Sequence, residues 1–379
     1  MRRPEAAAPI LLGLLLGLVF YALMYSLTYS LVYSLTYSLM YSLTYSLVHS
    51  LVYSLLCTEV LRDVSIDEGE EGIRNILVNI YRFGPIPIHE LSANVSIAVP
   101  VVSAVRRVLE KIGVCERRGG VVLTSNGIEI LECGSITSRL PKLVSGYQMA
   151  DWIDPLVEKI LDLQKGRPSP DFSLDQSHVD ATSLALRAAY LHDNDSVEGR
   201  KIAFVGDDDL TSLALGIFMS EFGIKTSKIT LFDVDKRVLK FVREASIEIG
   251  LDIETVECDI RDGIPVPYRE SYDVFFTDPP YTVDGLRLFV SSGVSMLMRG
   301  VGRKAFVSFG PKSPDRMLEG FDAILEMGLV VQEMTPHFNR YVGNQMNAGS
   351  SSMIRCVTTR DSKPLNNIDI GKIYTADQK

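Results

Sequence analysis

Three consecutive aspartates follow a glycine at a turn where a nucleotide-binding fold usually holds phosphate. Asp207, Asp208 and Asp209 stand between the apolar segment "KIAFV" and the helical pattern "LTSLALGIFMSEFG". Carboxylates at this place attract cations, and crowded carboxylates raise one another's pKa, which suits them to accept a proton. We expect the turn from Gly206 to Asp209 to bind a cationic substrate and to supply the catalytic carboxylate, with Asp207 and Asp208 favoured. A solvated turn or a metal site is the alternative.

The second chemical signature is "DPPY", from Asp278 to Tyr281. Pro279 and Pro280 lack backbone donors and stiffen the loop. Asp278 and nearby carbonyls are left as acceptors, with Tyr281 as a cover, and such acceptors hold an amine by its hydrogens. The lone pair of the amine then stays free to attack an electrophilic carbon. A rigid turn without a ligand is the alternative interpretation.

Alternating strand and helix patterns predict the fold that positions these loops. From Lys201 onward this alternation is typical of a parallel sheet with helices on both faces. The last two predicted strands, "GLVVQEMTPHF" and "SSSMIRCVTT", form an antiparallel edge hairpin, where His337 and Tyr341 are candidates to close over the pocket. We expect an α/β fold with a Rossmann-like, class I methyltransferase-type sheet, in which ligands bind at the carboxyl ends of the strands.

Two further aspartates end the second and third predicted strands. Asp233 in "LFDVDKR" suits the two hydroxyls of a ribose, and Asp259 in "CDIRDG" can accept from an adenine amino group. With Val234, Ile260 and Gly206, they predict a site for an adenosyl ligand. Each carboxylate taken alone is also consistent with a solvated strand end.

The aspartate turn discriminates between adenosyl ligands. In a methyltransferase-like fold it faces the amino-acid end of S-adenosylmethionine, whose carboxylate would be repelled by about 4 kcal/mol at roughly 4 Å. Decarboxylated S-adenosylmethionine lacks that carboxylate and keeps a sulfonium and an ammonium. It transfers an aminopropyl group, and its acceptors, the polyamines, are also cations. We therefore expect this compound as a co-substrate, with no tightly bound cofactor and no metal.

Composition limits the classes of partner. The chain has 379 residues, a formal net charge of −9 and five scattered cysteines. The net charge argues against general nucleic-acid binding, which needs clustered Lys and Arg. The cysteines form no CxxC pair, so they predict thiols in a reducing compartment and not a disulfide framework or a zinc site. We expect a cytoplasmic protein.

The N-terminal segment differs from the rest of the chain. Residues 6–58 carry no Asp, Glu, Lys or Arg, and "PILLGLLLGLVFYALMYSL" behind Arg2 and Arg3 is long enough to span a bilayer. A tetrapeptide repeat follows, in which each Tyr advances about 40° around a helix, so no fixed face forms. Two interpretations stay open: a membrane anchor within residues 9–56, or repeat DNA translated from a misplaced start codon.

A small helical module lies between these parts. Three helical patterns precede a strand pair, "VCERRGGVVLTSNGIEIL", that turns at Gly119 and Gly120, a layout typical of a winged helix. Basic residues allow DNA binding, but nearby acids favour a scaffold or a dimerisation module. The predicted domains are residues 1–58, an apolar low-complexity segment; 64–136, winged-helix-like; 137–174, a linker; 175–360, catalytic; and 361–379, a flexible polar tail.

Four motifs together resemble those of the branched-chain polyamine synthases of thermophilic archaea and bacteria: "VGDDDLTSLAL", "FDVDKR", "FTDPPYT" and the preceding "LDQ". The resemblance implies two aminopropyl transfers to the central amine of spermidine, giving N4-aminopropylspermidine and then N4-bis(aminopropyl)spermidine, with release of methylthioadenosine. It implies that Gly206–Asp209 holds the catalytic acid, that Asp278–Tyr281 line the acceptor site, and that Asp175 and Gln176 assist. It does not account for the tyrosine repeat.

Two other functions stay open on the sequence alone. A DPPY-like loop also seats the exocyclic amine of a flipped base, so a nucleic-acid N-methyltransferase that uses S-adenosylmethionine is the main alternative. The acidic turn and the net charge disfavour it. If the protein were a regulator that senses an adenosyl metabolite, the acceptors of the DPPY loop would have no amine to bind. The expected partners are spermidine and decarboxylated S-adenosylmethionine, with a second copy of the chain as a further candidate and no nucleic acid.

Overall fold

Most of the chain beyond the tyrosine repeat is described by the structure, which is a computed structural model. The described residues are 52–133, 136–138, 143, 152–310, 312–342 and 349–375. The predicted bilayer-spanning stretch and nearly all of the repeat lie outside them. The described residues from Leu56 onward belong to one unit.

Three helices and a hairpin form the N-terminal module: α1 (Gly69–Phe83), α2 (Ile88–Val95), α3 (Val99–Lys111), β1 (Cys115–Arg117) and β2 (Val121–Leu123). Gly119 has a positive φ of 72°, as the predicted turn requires. The prediction of a strand through "SNGIEIL" is wrong, because these residues lie in helix α4 (Ser125–Cys133). Thr124 ends the strand and caps the helix, since its Oγ1 accepts the backbone N–H of Gly127 at 3.1 Å.

Seven strands and six helices follow: α5 (Ile153–Gln164), α6 (Ala181–Asp193), β3 (Lys201–Val205), α7 (Thr211–Phe222), β4 (Lys228–Asp233), α8 (Lys236–Glu248), β5 (Ile253–Glu257), β6 (Val274–Thr277), α9 (Val283–Met296), β7 (Lys304–Phe309), α10 (Pro314–Glu326), β8 (Leu329–Arg340) and β9 (Ser350–Thr358). The strand order is β5–β4–β3–β6–β7–β9–β8. Only β9 runs antiparallel to its neighbours, so the mostly parallel sheet with an edge hairpin is confirmed.

The centre of the sheet positions the two chemical loops. Strands β3 and β6 pair in parallel, with Val205 opposite Thr277. Both strands are mostly apolar, and all of their residues except Lys201 are buried, because helices cover both faces of the sheet. The residues that follow this pair, Gly206 and Asp278, therefore leave the sheet side by side. The chain order reverses here, which is where α/β sheets bind ligands.

Two predicted irregular segments pack against the sheet. Helix α5 lies within the predicted linker, and its Ile153, Leu156 and Ile160 are buried in the hydrophobic core. The C-terminal segment contacts α9, where the hydroxyl of Thr282 donates to the carbonyl of Ile373 at 2.6 Å. The side chain of Ile373 is itself buried. These apolar contacts explain why the described residues after β9 lie along the sheet domain.

A buried ion network joins α1 to the amino-terminal ends of β3 and β7, where Arg200 and Arg303 lie. The carboxylate of Glu71 accepts from Arg200 at 2.7 and 2.8 Å and from Arg303 at 2.8 Å. Arg74 of the same helix contacts Asp195 at 2.9 Å. Burial alone would raise the pKa of Glu71, but the facing arginines lower it to about 2. The module is thus fixed to the sheet by paired charges.

Among the described residues, no single helix has the length and apolarity needed to cross a membrane, although the bent pair α2 and α3, at 111° to each other, meets that criterion jointly.

Candidate active site

Asp207 is the N-terminal anchor of α7. Its Oδ1 and Oδ2 accept the backbone N–H groups of Thr211 at 2.7 Å and Ser212 at 2.9 Å. The turn needs two unusual backbone positions, Gly206 at φ 69° and Leu210 at φ 71°. Burial raises the pKa of Asp207 to about 7, although the hydrogen bonds from Ser212 and Thr211 oppose this. Asp207 thus combines a capping role with a titration near neutral pH.

Asp209 is buried and paired. Its Oδ1 accepts the backbone N–H of Val179 at 2.6 Å, and its Oδ2 accepts from Arg187 at 2.8 Å. Its charge is therefore compensated within the protein. Asp209 is therefore not free to bind a cationic ligand.

Asp208 has the least compensated charge of the three. It is half-buried, and its Oδ2 accepts the backbone N–H of Ser177 at 3.1 Å. Among the described residues, no Lys or Arg nitrogen lies within 4.0 Å of its carboxylate. Burial, together with the negative charges of Asp209, Asp233 and Asp278, raises its pKa well above the ordinary value. Asp208 is therefore able to bind a cation or to take its proton.

Arg187 of α6 is a site residue that the sequence reasoning missed. Its side chain is fully buried, and its guanidinium lies 5.1 Å from the centre of the Phe276 ring. It donates hydrogen bonds to six side chains, namely Asp209, Thr211, Asp278, Ser308, Asn339 and Tyr341. The available signal was one arginine within the apolar helical run "SLALRAAYL", because a buried cation needs acidic partners.

The DPPY loop faces the aspartate turn across Arg187. Oδ2 of Asp278 accepts from Arg187 at 2.5 Å and from the hydroxyl of Tyr341 at 2.6 Å. The hydroxyl of Tyr281 donates to Oδ1 of Asp278 at 3.3 Å and also contacts Tyr341. Burial raises the pKa of Asp278 to about 7, against the opposing charge of Arg187. His337, the other candidate cover, is exposed and pairs with Ser350 at 3.0 Å.

The predicted adenosyl side is joined to the same turn. Asp233 is buried, and its Oδ2 accepts the backbone N–H of Asp207 at 3.1 Å. Its Oδ1 accepts from the N–H of Asp235 at 2.8 Å, and burial raises its pKa to about 6. Val234 is 38% exposed and Ile260 is half-buried, so apolar surface is available at the ends of β4 and β5.

The carboxylate of Asp259 binds Arg261, whereas the sequence predicts that it accepts from an adenine amino group. Its Oδ2 pairs with Nη2 of Arg261 at 2.6 Å, and both of its oxygens contact Nε of the same arginine at 2.9 and 3.0 Å. Hydrogen bonds from Arg261 lower the pKa of Asp259. In this structure the carboxylate is therefore committed to Arg261.

The loop that precedes α6 forms one wall of the site beside the aspartate turn, because the backbone N–H groups of Ser177 and Val179 donate to Asp208 and Asp209. Gln176 is buried, and its amide nitrogen donates to Oδ2 of Asp235 at 3.1 Å. Oδ2 of Asp175 accepts from the backbone N–H and the hydroxyl of Thr375 at 2.7 and 2.8 Å. Gln176 thus supports the loop, while Asp175 connects it to the C-terminal segment.

Two basic side chains face the acidic cluster from this wall. Arg167 is half-buried, and its Nη1 has no hydrogen-bond partner among the described residues. Its pKa is lowered by burial, while Asp209 and Asp208 act in the opposite direction. Burial and the charge of Arg167 lower the pKa of His178 to about 4, so His178 is neutral at pH 7.

The part of the chain that the structure describes contains no group of three or more His, Cys, Asp and Glu side chains placed to bind a metal ion. The site is instead a set of five carboxylates, those of Asp207, Asp208, Asp209, Asp233 and Asp278, around one buried arginine. Such a set binds cations and exchanges protons near neutral pH.

Comparisons with known proteins agree with this chemistry. Residues 155–375 match the family described as the branched-chain polyamine synthase A C-terminal domain. The N(4)-bis(aminopropyl)spermidine synthase of Thermococcus kodakarensis is 32% identical over 72% of this chain and 78% of that protein. An uncharacterized protein of Methanocaldococcus jannaschii is 33% identical over 84% of this chain and 81% of that protein.

A solved structure supports the fold. The C9 mutein of the Thermus thermophilus branched-chain polyamine synthase, crystallised with N4-aminopropylspermidine and 5'-methylthioadenosine, superposes with a TM-score of 0.54 at 21% identity. The match covers 86% of this chain and 98% of that one. From the matched domain and the curated relatives together, the chain belongs to the branched-chain polyamine synthase family.

Proposed function

We propose that the protein is an aminopropyltransferase that uses decarboxylated S-adenosylmethionine. Its acceptor is spermidine, and its products are N4-aminopropylspermidine, N4-bis(aminopropyl)spermidine and methylthioadenosine. The proposal rests on one observation: Asp208 and Asp278 face each other where the paired strands β3 and β6 end. This places acceptors for a cationic donor and a cationic amine in one site, in a chain of the polyamine synthase family.

The donor is held by its three chemical parts. Asp233 accepts from the ribose hydroxyls, and Val234 and Ile260 contact the adenine ring. Since Arg261 occupies the carboxylate of Asp259, an adenine amino group must displace Arg261 to bind there. The aspartate turn faces the ammonium and sulfonium end. Gly206 stays a glycine because a Cβ would lie 3.1 Å from the ring of Phe289.

Asp208 accepts the proton that the reaction releases. The amines of spermidine are mostly protonated at neutral pH, and only the neutral amine has a lone pair for attack. As the nitrogen–carbon bond forms, the carbon–sulfur bond breaks, and its electron pair stays on sulfur as neutral methylthioadenosine. A second transfer needs the tertiary ammonium of the first product to lose its proton. Asp208 takes both protons and passes them to solvent, to which it is partly exposed.

The acceptor amine lies against the DPPY loop. Pro279 and Pro280 offer no N–H that would compete for the acceptors, so Asp278 and the loop carbonyls hold the amine. Tyr281 and Tyr341 cover the site through their contacts with Asp278. Asp175 and Gln176 assist from the loop that precedes α6. Asp175 anchors the C-terminal segment, and Gln176 supports the loop.

The N-terminal module, residues 64–136, serves as a winged-helix-like scaffold for the catalytic domain, residues 175–360. The basic side chains that allow DNA binding are Arg106, Arg107, Lys111, Arg117 and Arg118. In the described structure four of the five are paired with acids: Arg106 and Arg117 with Glu110, Arg118 with Glu116, and Lys111 with Asp63. Paired cations release few counterions from nucleic acid. This charge balance supports a scaffold more than a recognition surface.

Product analysis tests the proposal. The purified full chain is incubated with decarboxylated S-adenosylmethionine and spermidine, and the polyamines and methylthioadenosine are identified by mass. We expect two successive additions of one aminopropyl group, with one methylthioadenosine for each. A parallel reaction with S-adenosylmethionine and duplex DNA or RNA is the control. Methyl transfer in that control, without aminopropyl transfer to spermidine or another polyamine, would overturn the proposal in favour of a nucleic-acid methyltransferase.

A further inference from the structure

Arg187 connects the ends of four strands beneath the acidic cluster. Its Nη1 lies 2.8 Å from Asp209 and 3.0 Å from Thr211, beyond β3. Its Nη2 lies 2.5 Å from Asp278, beyond β6, and 3.2 Å from Ser308 of β7. Its Nε lies 2.7 Å from Asn339 of β8. All three nitrogens of one guanidinium are therefore used.

We propose that Arg187 is a positioning residue that divides the acidic cluster into fixed and reactive members. It binds Asp209 and Asp278 directly, and this leaves Asp208 as the member available to the substrate proton. The inference rests on the proposed function and deepens it. Arg187 itself is buried beneath the carboxylates and contacts them, not the substrates.

The division follows from how each aspartate is bound. Asp207 is held by two backbone N–H groups of α7, and Asp209 by Arg187 and a backbone N–H. Asp278 is held by Arg187 and by the hydroxyl of Tyr341. Asp208 accepts one backbone N–H, from Ser177. The carboxylates of Asp209 and Asp278 are thus oriented by the guanidinium, whereas that of Asp208 is left open to a substrate.

An arginine is needed because of its geometry. The guanidinium is a planar fork of five donors, whereas an ammonium has three donors at one point and cannot reach acceptors on several strands at once. Asp209 and Asp278 raise the pKa of Arg187 although burial lowers it, so the cation persists at any working pH. Its charge also offsets the mutual repulsion of the carboxylates.

Other charges bear on the titration of Asp208. Around it lie Asp207 and Asp209 of the same turn, Asp233 after β4, Asp278 after β6, Tyr281 and Tyr341 over the site, and Arg167 and His178 of the loop that precedes α6. Lys312, after β7, lies 5.9 Å from the Tyr281 ring. Arg187 has two carboxylates of this set as direct partners, so its removal changes the charge balance most.

The test compares Arg187→Met, which removes the charge, with Arg187→Lys, which keeps it. The pH dependence of kcat/KM for aminopropyl transfer is measured for both and for the wild type. For Arg187→Met, the acid limb moves upward by about 1 pH unit or more, because Asp209 and Asp278, whose charges raise the pKa of Asp208, lose the buried cation that they share. For Arg187→Lys, the acid limb stays in place, while kcat falls about tenfold or more from lost alignment.

Arg200→Lys is the matched control, since Arg200 is also buried and ion-paired but lies just before β3, at the other end of that strand from the acidic cluster. It lowers the thermal unfolding midpoint without moving the acid limb. An unshifted acid limb in folded Arg187→Met overturns the inference. If Arg187→Met does not fold, Arg187→Lys decides, and a kcat within twofold of wild type contradicts positioning. A wild type without aminopropyl transfer is a distinct outcome that refutes the proposed function itself.

Discussion

The carboxylate of Asp207 accepts the backbone N–H of Thr211 at 2.7 Å, in the first turn of α7. Asp207, which is as buried as Asp209, is therefore a helix cap, and its neighbour Asp208 is not. The three consecutive aspartates thus comprise a helix-capping carboxylate, an ion-paired one and the one that we propose to be reactive. Chemical and structural roles can be separated by substitution.

Asp207→Ala and Asp208→Asn should affect different properties, stability in the first case and activity in the second. Loss of the cap lowers the free energy of unfolding by about 1–2 kcal/mol. Asp208→Asn leaves that free energy nearly unchanged, since the amide oxygen of Asn can accept the same backbone N–H of Ser177, but it lowers kcat by about 10²–10⁴-fold. Chemical denaturation and initial rates measure the two effects. Full transfer activity in Asp208→Asn would refute its role as the proton acceptor.

The stability of the ligand-free protein should be highest in mildly acidic solution. The pKa of Asp207 rises on folding from 3.8 to about 7, so the folded state binds more protons, and this stabilisation is lost as the pH rises through 7. The pKa of Glu71 falls on folding from 4.5 to about 2, so its stabilisation is lost as the pH falls from 4.5 toward 2. We expect a lower unfolding midpoint at pH 8 than at pH 5.5.

Asp207→Asn tests the alkaline part of that profile. The amide does not titrate, so the difference in unfolding midpoint between pH 5.5 and pH 8 should become smaller at constant ionic strength. Calorimetry gives both midpoints. A wild-type midpoint that rises from pH 5.5 to pH 8 would contradict the assignment of raised pKa values to this site.

The ion network at α1 should dominate the attachment of the N-terminal module. Glu71→Gln removes the shared carboxylate partner of the buried Arg200 and the half-buried Arg303, which costs about 3–5 kcal/mol of unfolding free energy. Glu70→Gln, at the exposed position just before Glu71 in the helix, is the matched control and should cost less than about 0.5 kcal/mol of unfolding free energy. Equal effects of the two substitutions would show that the network adds nothing to stability.

The C-terminal segment should depend on the hydroxyl of Thr282. This group caps α9 by accepting from Gly285 at 2.8 Å and donates to the carbonyl of Ile373 at 2.6 Å. Thr282→Val keeps the shape but loses both bonds, so amide hydrogen exchange of residues 365–375 should accelerate. Thr282→Ser keeps the hydroxyl and should exchange like the wild type. Unchanged exchange in Thr282→Val would mean that the segment is held by other contacts.

Much of the site could be predicted because it is local in sequence. The turn at Gly206 and the DPPY loop each follow an apolar strand directly, and parallel strand pairing brings their ends together. Arg187 could not be placed in this way, because its partners Asp278 and Asn339 lie 91 and 152 residues further along the chain. The pairing of Asp259 with Arg261 was missed for the opposite reason, since a neighbouring side chain satisfied the carboxylate locally.

The helices were harder to predict where capping decided the outcome. "SNGIEIL" alternates like a strand, yet Thr124 starts α4 there. The described C-terminal residues read as a polar tail, but Ile373 buries its side chain and Thr375 binds Asp175. In both cases one tertiary or capping contact outweighed the local pattern, which propensity alone does not reveal.

The central claim is that the aspartate turn selects a donor without a carboxylate. Isothermal titration calorimetry at pH 8, where the carboxyl of Asp207 with its pKa of about 7 is mostly ionised, compares both adenosyl compounds on the same preparation. We predict that decarboxylated S-adenosylmethionine binds at least about a hundredfold more tightly than S-adenosylmethionine, as like-charge repulsion of a few kcal/mol requires, and that the ratio shrinks below pH 7. Equal affinity, or tighter binding of S-adenosylmethionine, would contradict the account.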